Sequence, residues 1–165
     1  MDLIVTVLTD DRPGVIERVS AVVAEHGGNW QDSRMAQMAG KFAGIIALSV
    51  PDAAAEALRS DLQALSDVVV HVAASQAAVP ATRLHTLEVV ANDRPGIVAE
   101  VSRALAVIGV NVAELQTSVE PGSMSGAVIF RARLDLGLTP QQSLAEVIAG
   151  LEGLSDDLMI DVIDQ

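Results

Sequence analysis

The 165-residue chain contains no cysteine and no tyrosine, and only one tryptophan and two phenylalanines. Without cysteine it can form neither a disulfide framework nor a zinc–thiolate site, and it has no thiolate nucleophile. No apolar run approaches the roughly 18 residues that suggest a membrane span. The first residues, MDLIVTVLTDD, carry acids but no basic segment, which is not typical of a signal peptide. These features predict a cytoplasmic protein that does not associate with a membrane.

Positive charge is also scarce. Ten lysine and arginine residues face 22 aspartate and glutamate residues, which gives a formal net charge of −12, and Lys41 is the only lysine. Binding to the phosphates of a nucleic acid needs a clustered basic surface, and binding to single strands needs aromatic side chains for stacking. The sequence offers neither, so we expect no direct binding to nucleic acid.

The sequence contains an internal repeat at an offset of 82 residues. The tetrapeptide DRPG at residues 11–14 recurs at residues 93–96, and Asn29 recurs as Asn111. Nine of the 21 positions from residue 10 to residue 30 are identical at this single offset, without a gap. Such agreement indicates a duplicated unit.

Both copies show the same order of patterns. A β-branched apolar run predicts a strand, DRPG follows, and apolar residues at helical spacing predict a helix that ends at a glycine. Two strand patterns, a second helix and a last strand complete each copy. The predicted fold is α+β, with two tandem ferredoxin-like (βαββαβ) domains packed side by side. The predicted bounds are residues 1–78 and 84–165 for the domains, 79–83 for the linker, and 29–38, 42–50, 111–120 and 126–136 for the middle strands.

The DRPG tetrapeptide has two interpretations. In the simpler one it is only a helix start, because proline suits the first helical turn and a preceding aspartate can cap the exposed amides. In the other, Gly14 and Gly96 let a ligand carboxylate approach the helix amides, while Asp11 or Asp93 accepts an ammonium group. One loop could then hold both ends of an α-amino acid.

A strand, DRPG, an amphipathic helix and then G-x-N at the next strand resemble an ACT domain. The chain resembles two ACT domains in tandem over essentially its full length. Tandem chains of this size, without an appended enzyme or DNA-binding domain, are similar to the glycine cleavage system transcriptional repressor group. The resemblance implies a regulatory protein without a cofactor, which binds a small amino acid such as glycine. It also implies a protein partner that is a transcription activator.

The resemblance further implies ligand sites at the junction of the two domains, where the first loop of one domain faces the second strand of the other. The first site would combine Asp10, Asp11, Arg12, Pro13, Gly14, Val15 and Ile16 with Asn111. The second would combine Asn92, Asp93, Arg94, Pro95, Gly96, Ile97 and Val98 with Asn29. Asparagine often stands in the family where Asp11 and Asp93 stand here, so the identity of the ligand stays open.

The two copies differ around the motif. Asp10 precedes the first DRPG and Asn92 the second, while Trp30 follows Asn29 where Val112 follows Asn111. We therefore expect two sites of unequal affinity, or one site and one vestige.

Three further hypotheses concern the remaining functional classes. The histidines His26, His71 and His85 are isolated in the sequence, so we expect no metal site, and His26 lies on an apolar helix stripe that predicts partial burial. Clustered histidines, paired carboxylates at a recognisable spacing and nucleotide-binding loops are all missing, so an enzyme is not expected. The alternative is a structural interaction module, whose sheet edges mediate assembly, including a homodimer.

Overall fold

The computed structural model describes residues 1–75, 83–122 and 126–163. The chain divides into two compact units, Met1–Ala77 and Ala78–Gln165, which are named domain 1 and domain 2 below. Residues 79–82 of the predicted linker and residues 123–125 of the second hairpin loop lie outside the described residues. Arg83, the last residue of the predicted linker, is the first residue of a strand.

Domain 1 has the predicted order of elements. Its strands form one antiparallel sheet in the order β2-β3-β1-β4, with an irregularity in β2 between Trp30 and Asp32. A short 3₁₀ turn, Asp52–Ala54, precedes the second helix. The bounds are β1 Asp2–Asp10, α1 Val15–Glu25, β2 Asn29–Met38, β3 Lys41–Ser49, α2 Ala55–Gln63 and β4 Val68–Ala74.

Domain 2 repeats this topology, with an antiparallel sheet in the order β6-β7-β5-β8. The bounds are β5 Arg83–Asn92, α3 Ile97–Val107, β6 Asn111–Pro121, β7 Val128–Leu138, α4 Leu144–Glu152 and β8 Met159–Val162. The α+β class and the two tandem ferredoxin-like domains are thus confirmed.

Each domain has a core of its own, between one face of its sheet and its two helices. In β1 the buried residues Leu3, Val5 and Val7 alternate with more exposed ones, as expected for a strand that is covered on one face. In the helices the buried residues recur every four positions, as in Val15, Val19 and Val23 of α1. Each buried cluster consists of residues from one domain.

The sheet registers show which residues match between the domains. Thr9 pairs with Phe42 in domain 1, and Ala91 pairs with Phe130 in domain 2, so the only two phenylalanines occupy matching positions. The third strands are therefore related by an offset of 88 residues, whereas the first strands are related by 82. Between matching positions of its second and third strands, domain 2 therefore has six more residues than domain 1.

The sheet faces opposite the helices differ in character. In domain 1 this face exposes Leu8, Ile45 and Val69, and the last of these is 70% exposed. In domain 2 the positions that match Leu8 and Val69 are also apolar, Val90 and the 60% exposed Met159, but Arg133 stands where domain 1 has Ile45. On the same face of domain 2, Arg131 donates a hydrogen bond to Glu88 over 2.6 Å. The two domains thus share a topology but present different surfaces.

Candidate functional site

Each DRPG tetrapeptide lies between the first strand and the first helix of its domain, and its glycine is the N-cap residue of that helix. Gly14 has a φ angle of +89° and Gly96 has a φ angle of +98°. A residue with a side chain is strained in this left-handed region, whereas glycine is not. The positive φ angle therefore explains why glycine occurs at this position in both motifs, and the sequence alone did not identify this reason.

The starts of α1 and α3 have no side-chain caps. Neither N-cap forms a side-chain hydrogen bond, and Pro13 and Pro95 precede the N-cap residue instead of lying in the first helical turn. The aspartate cap and the first-turn proline of the simpler interpretation are therefore wrong, although the motif does stand at a helix start in both domains. Within the part of the chain that the structure describes, the first amide groups of both helices have no side-chain acceptor, so an anion can bind them.

A backbone hydrogen bond ties each loop to the hairpin of its domain. The amide of Asp11 donates to the carbonyl of Gly40 over 2.9 Å, and the amide of Asp93 donates to the carbonyl of Val128 over 2.8 Å. Both aspartates are exposed, and their carboxylates form no hydrogen bond or ion pair with the described residues. These carboxylates are therefore available to an ammonium group.

The first loop is surrounded by a small network of charges. Arg12 lies between two aspartates, with Nη2 3.3 Å from Oδ2 of Asp10 and Nη1 3.6 Å from Oδ2 of Asp67. Lys41 also forms an ion pair with Asp10. The hydrogen bond from Lys41 is the main reason why the pKa of Asp10 lies below its ordinary value. Asp10, which the resemblance placed among the ligand residues, is thus engaged by two cations of the chain.

The second loop carries a tighter ion pair. Nη1 and Nη2 of Arg94 donate to the two carboxylate oxygens of Glu100, over 2.8 and 2.6 Å. These hydrogen bonds are the main cause that lowers the pKa of Glu100 and raises the pKa of Arg94. A Cβ atom on Gly96 would lie 3.8 Å from Oε1 of Glu100, whereas nothing lies within 4 Å of the same position on Gly14. The first loop is therefore the more open of the two.

An aspartate before the last strand contacts each loop, and sequence reasoning missed both. Asp67 lies beside Arg12, and Oδ2 of Asp157 accepts a hydrogen bond from the amide of Asn92 over 3.3 Å. The pKa of Asp157 is lowered, mainly by a hydrogen bond from the Ser155 hydroxyl. A Ser-Asp or Ser-Asp-Asp sequence before both last strands was the signal that could have indicated these residues.

A surface cavity of about 290 Å³ lies against the first loop. Its walls are the loop itself, the first turn of α1 and the ring of Phe42. Because Asp11 and the first residues of α1 border the same cavity, a small ligand could contact both. The lining residues are Asp11, Arg12, Pro13, Gly14, Val15, Ile16, Glu17 and Phe42.

Asn29 and Asn111 are the first residues of β2 and β6, and both are exposed. Within domain 1, Asn29 pairs with Ser49, whereas the loop begins at the other end of β3, where Asp10 pairs with Lys41. Eight residue steps along a strand separate these ends by roughly 26 Å. An asparagine therefore does not join the loop of its own domain, and its role at the loop of the other domain stays a prediction.

The remaining candidates lie away from the loops. His26 is partly buried, as predicted, and its Nε2 lies 2.8 Å from Oδ2 of Asp61, which joins α1 to α2. Among the described residues, no three histidine, aspartate or glutamate side chains converge on a common metal position. Within the same residues, no helix has the length and apolar character needed to cross a membrane.

Comparison with known proteins places the chain beside ACT domains. The family model of the ACT domain matches residues 1–71. The crystal structure of an unknown protein from Galdieria sulphuraria is 29% identical, with a TM-score of 0.85 over 98% of this chain and 96% of that chain. A provisionally assigned glycine cleavage system transcriptional repressor is 20% identical and shares the fold, with a TM-score of 0.74 over 98% of this chain and 95% of that chain.

The search of curated proteins found no significant match. The family match covers the first domain, and both solved structures match the first and the second half of the chain alike. Residues 1–71 are thus similar to the ACT domain family, and the whole chain has the α+β fold of two tandem ferredoxin-like ACT domains.

Proposed function

We propose that this chain is a non-enzymatic regulatory protein that binds a small amino acid at its DRPG loops and modulates a protein partner, a transcription regulator. One observation carries the proposal. Each loop combines a helix start without a side-chain cap and an exposed aspartate whose carboxylate has no partner among the described residues. The match of residues 1–71 to the ACT domain family model supports the regulatory role.

The proposed recognition uses opposite charges at the two ends of the ligand. The ligand carboxylate accepts hydrogen bonds from the first amides of α1, where the helix dipole also favours a negative charge. The ligand ammonium group donates to the carboxylate of Asp11. In the proposal, Asn111 completes the first site and Asn29 the second.

Glycine is the first ligand to test. The backbone around Gly14 is open, because nothing lies within 4 Å of the position that a Cβ atom would take there, so a ligand with little or no side chain can reach the amides. The similarity to the glycine cleavage repressor group supports the same choice. The second loop, with Arg94 and Glu100 beside Gly96, is proposed as the weaker site.

The regulatory effect follows from linkage. An amino acid that binds one conformation of the chain more tightly than another shifts the population toward that conformation. A partner that prefers the other conformation then binds more weakly, by the same factor by which the partner weakens ligand binding.

A thermal denaturation screen of the full chain against the twenty amino acids tests this proposal. A ligand present at about 100 times its Kd stabilises the folded state by about 2.7 kcal/mol. For a chain of this size that corresponds to a rise in Tm of roughly 5–10 °C. No rise with any amino acid at millimolar concentration would contradict the proposal.

The variants Asp11→Asn and Asp93→Asn measure separately how much each of the two loops contributes to ligand binding. Loss of a charged hydrogen-bond acceptor should weaken ligand binding by about 10-fold to 100-fold at the affected loop. Asp2→Asn is the matched control, because Asp2 is an exposed aspartate at the other end of the strand that leads to Asp11. Calorimetric titration of the three variants should show weaker binding for Asp11→Asn in particular and no change for Asp2→Asn.

The apolar outer face of domain 1 favours the structural interaction module as a second candidate. Leu8, Ile45 and Val69 are each between 47% and 70% exposed on this face. If this candidate is right, a pulldown recovers the same partner with and without amino acid. Substitution of Val69 by Asp should then abolish the interaction, whereas Asp11→Asn leaves it intact.

A further inference from the structure

Domain 2 contains an apolar cavity of about 110 Å³ between α3 and the sheet. Its inner wall is formed by Phe130, Ala132 and Leu134 of β7, which are at most 6% exposed. Val98 and Leu115, which are 42% and 43% exposed, lie at its opening. The cavity therefore leads from the surface of the domain into its core.

Domain 1 has larger side chains at two of the matching positions. Trp30 stands where domain 2 has Val112, and Met35 stands where it has Thr117. Both Trp30 and Met35 pack against the core of domain 1. A Cβ atom on Gly44 would lie only 2.6 Å from Cγ of Met35, so Met35 occupies the space above that strand. Domain 2 leaves the corresponding space above Ala132 open.

The chemistry of the cavity wall favours an apolar occupant. Ser102 supplies the only polar side chain of the lining, whereas a well-ordered water needs two to four polar partners. Water in this cavity is therefore weakly held, and an apolar group that displaces it gains binding free energy. An apolar cavity of roughly 150 Å³ accepts benzene or xenon, so this smaller cavity suits a branched aliphatic group and not an aromatic ring.

We propose that this cavity is a binding site for a small branched aliphatic group, of the size of an isopropyl or isobutyl group. The site does not depend on the amino-acid function of the DRPG loops. Two kinds of molecule can supply the group. One is a branched aliphatic amino acid anchored at the start of α3, since Val98 lies both in the first turn of that helix and at the cavity opening. The other is an uncharged aliphatic molecule.

Methyl NMR of the full chain under xenon pressure tests the cavity itself. Xenon should shift the methyl resonances of Val98, Val112 and Leu134, and it should leave those of Ile46, which stands in domain 1 where domain 2 has Leu134, unchanged. Absence of shifts in domain 2, or equal shifts in both domains, would overturn the proposal.

Competition experiments then distinguish the two sources of the aliphatic group. Displacement of xenon by leucine or valine, but not by glycine, identifies the side chain of an amino acid. Displacement by isobutanol and not by leucine identifies an uncharged molecule. If neither displaces xenon, the cavity is no ligand site and the proposal fails. Failure of the proposed amino-acid function is seen separately, as the lack of a Tm shift with any amino acid.

Two variants fill the cavity to different degrees. Val112→Trp introduces the side chain that domain 1 has, and Ala132→Val adds two methyl groups at the inner wall and is the milder change. Both should weaken binding of the aliphatic ligand by at least about 10-fold, as expected for hydrophobic pockets that lose room for a methylene group. Gln116→Met is the control, because Gln116 lies on the same strand as Leu115 but on the opposite face. Unchanged binding in both filling variants would overturn the proposal.

Discussion

Domain 1 and domain 2 have the same backbone plan but different side-chain chemistry around it. The left-handed glycine at the helix start and the backbone bond from loop to hairpin occur in both domains. The arginine of the motif, in contrast, bonds to aspartates in domain 1 and to Glu100 in domain 2. The comparison shows that features required by the backbone were retained after duplication, while contacts made by side chains diverged.

The cores and surfaces diverged in the same way. Domain 1 fills its core with Trp30 and Met35 and exposes Ile45 on its outer sheet face, whereas domain 2 has a core cavity and carries Arg133 at the position of Ile45. Each domain therefore has a candidate binding feature that the other domain lacks, the outer sheet face with the exposed Ile45 in domain 1 and the core cavity in domain 2. The following four experiments examine how far this difference extends, beginning with the largest expected effect.

Truncation of a core side chain should destabilise only the domain that contains it. Leu58→Ala in domain 1 and Leu151→Ala in domain 2 should each cost about 2–5 kcal/mol of unfolding free energy, because both leucines are at most 1% exposed. Trp30 is the only tryptophan, so its fluorescence in a urea titration reports on domain 1. Leu58→Ala should shift this transition, and Leu151→Ala should leave it in place. A shift of equal size in both variants would show that the domains unfold as one unit.

Alanine at either motif glycine should destabilise its domain by about 1–2 kcal/mol, because φ is positive at both positions. The control is Gly150→Ala in α4, where no heavy atom lies within 4 Å of the new Cβ and the residue is inside a helix. This change should stabilise the chain by about 0.5–1 kcal/mol. Chemical denaturation measures all three changes. Equal signs for the three variants would contradict the backbone explanation of the motif glycine.

The ion pair between Arg94 and Glu100 in domain 2 predicts that the stability of the folded chain decreases at acidic pH. The pKa of Glu100 is lower in the folded chain, so its contribution to stability is present above the unfolded pKa of about 4.3 and is lost as the pH falls through the folded value. Glu100→Gln removes that contribution. The Tm difference between wild type and Glu100→Gln should therefore be largest at neutral pH and should disappear toward pH 3. A Tm difference that is independent of pH would contradict this cause.

The smallest effect is expected from the motif arginines. Arg94→Ala should lower Tm more than Arg12→Ala, because Arg94 forms two short hydrogen bonds to one carboxylate and is less exposed than Arg12. Exposed ion pairs such as those of Arg12 contribute little. Parallel thermal melts compare the two variants, and an equal decrease would show that the two loops are held with similar strength.

Much of the fold was readable from the sequence because its information is local and repeated. The apolar runs, the helical spacing and the turn residues gave the order of elements in both domains, and the repeat made each half a check on the other. Bounds were less accurate where the signal is weak: the third strand of domain 2 was expected at residues 126–136 and lies at Val128–Leu138.

The site was only partly readable, because its features depend on contacts that are distant in sequence. Asp67 reaches Arg12 across 55 residues, and Asp157 reaches the amide of Asn92 across 65. The left-handed conformation of Gly14 is a property of the folded loop, and the sequence suggested only that a side chain was absent. The cavity above Ala132 likewise results from two strands and a helix and has no local signature.

The hydrogen bond between the Asp93 amide and the Val128 carbonyl is kept although the connection between matching positions of the second and third strands is six residues longer in domain 2 than in domain 1. The length of that connection therefore differs between the domains without a change in this contact of the loop. For protein engineers this makes the second hairpin connection a suitable point for inserting an epitope or a fluorophore-labelling peptide. The corresponding two-residue turn between β2 and β3 is a less suitable point, because Gly40, which holds Asp11, is part of that turn itself.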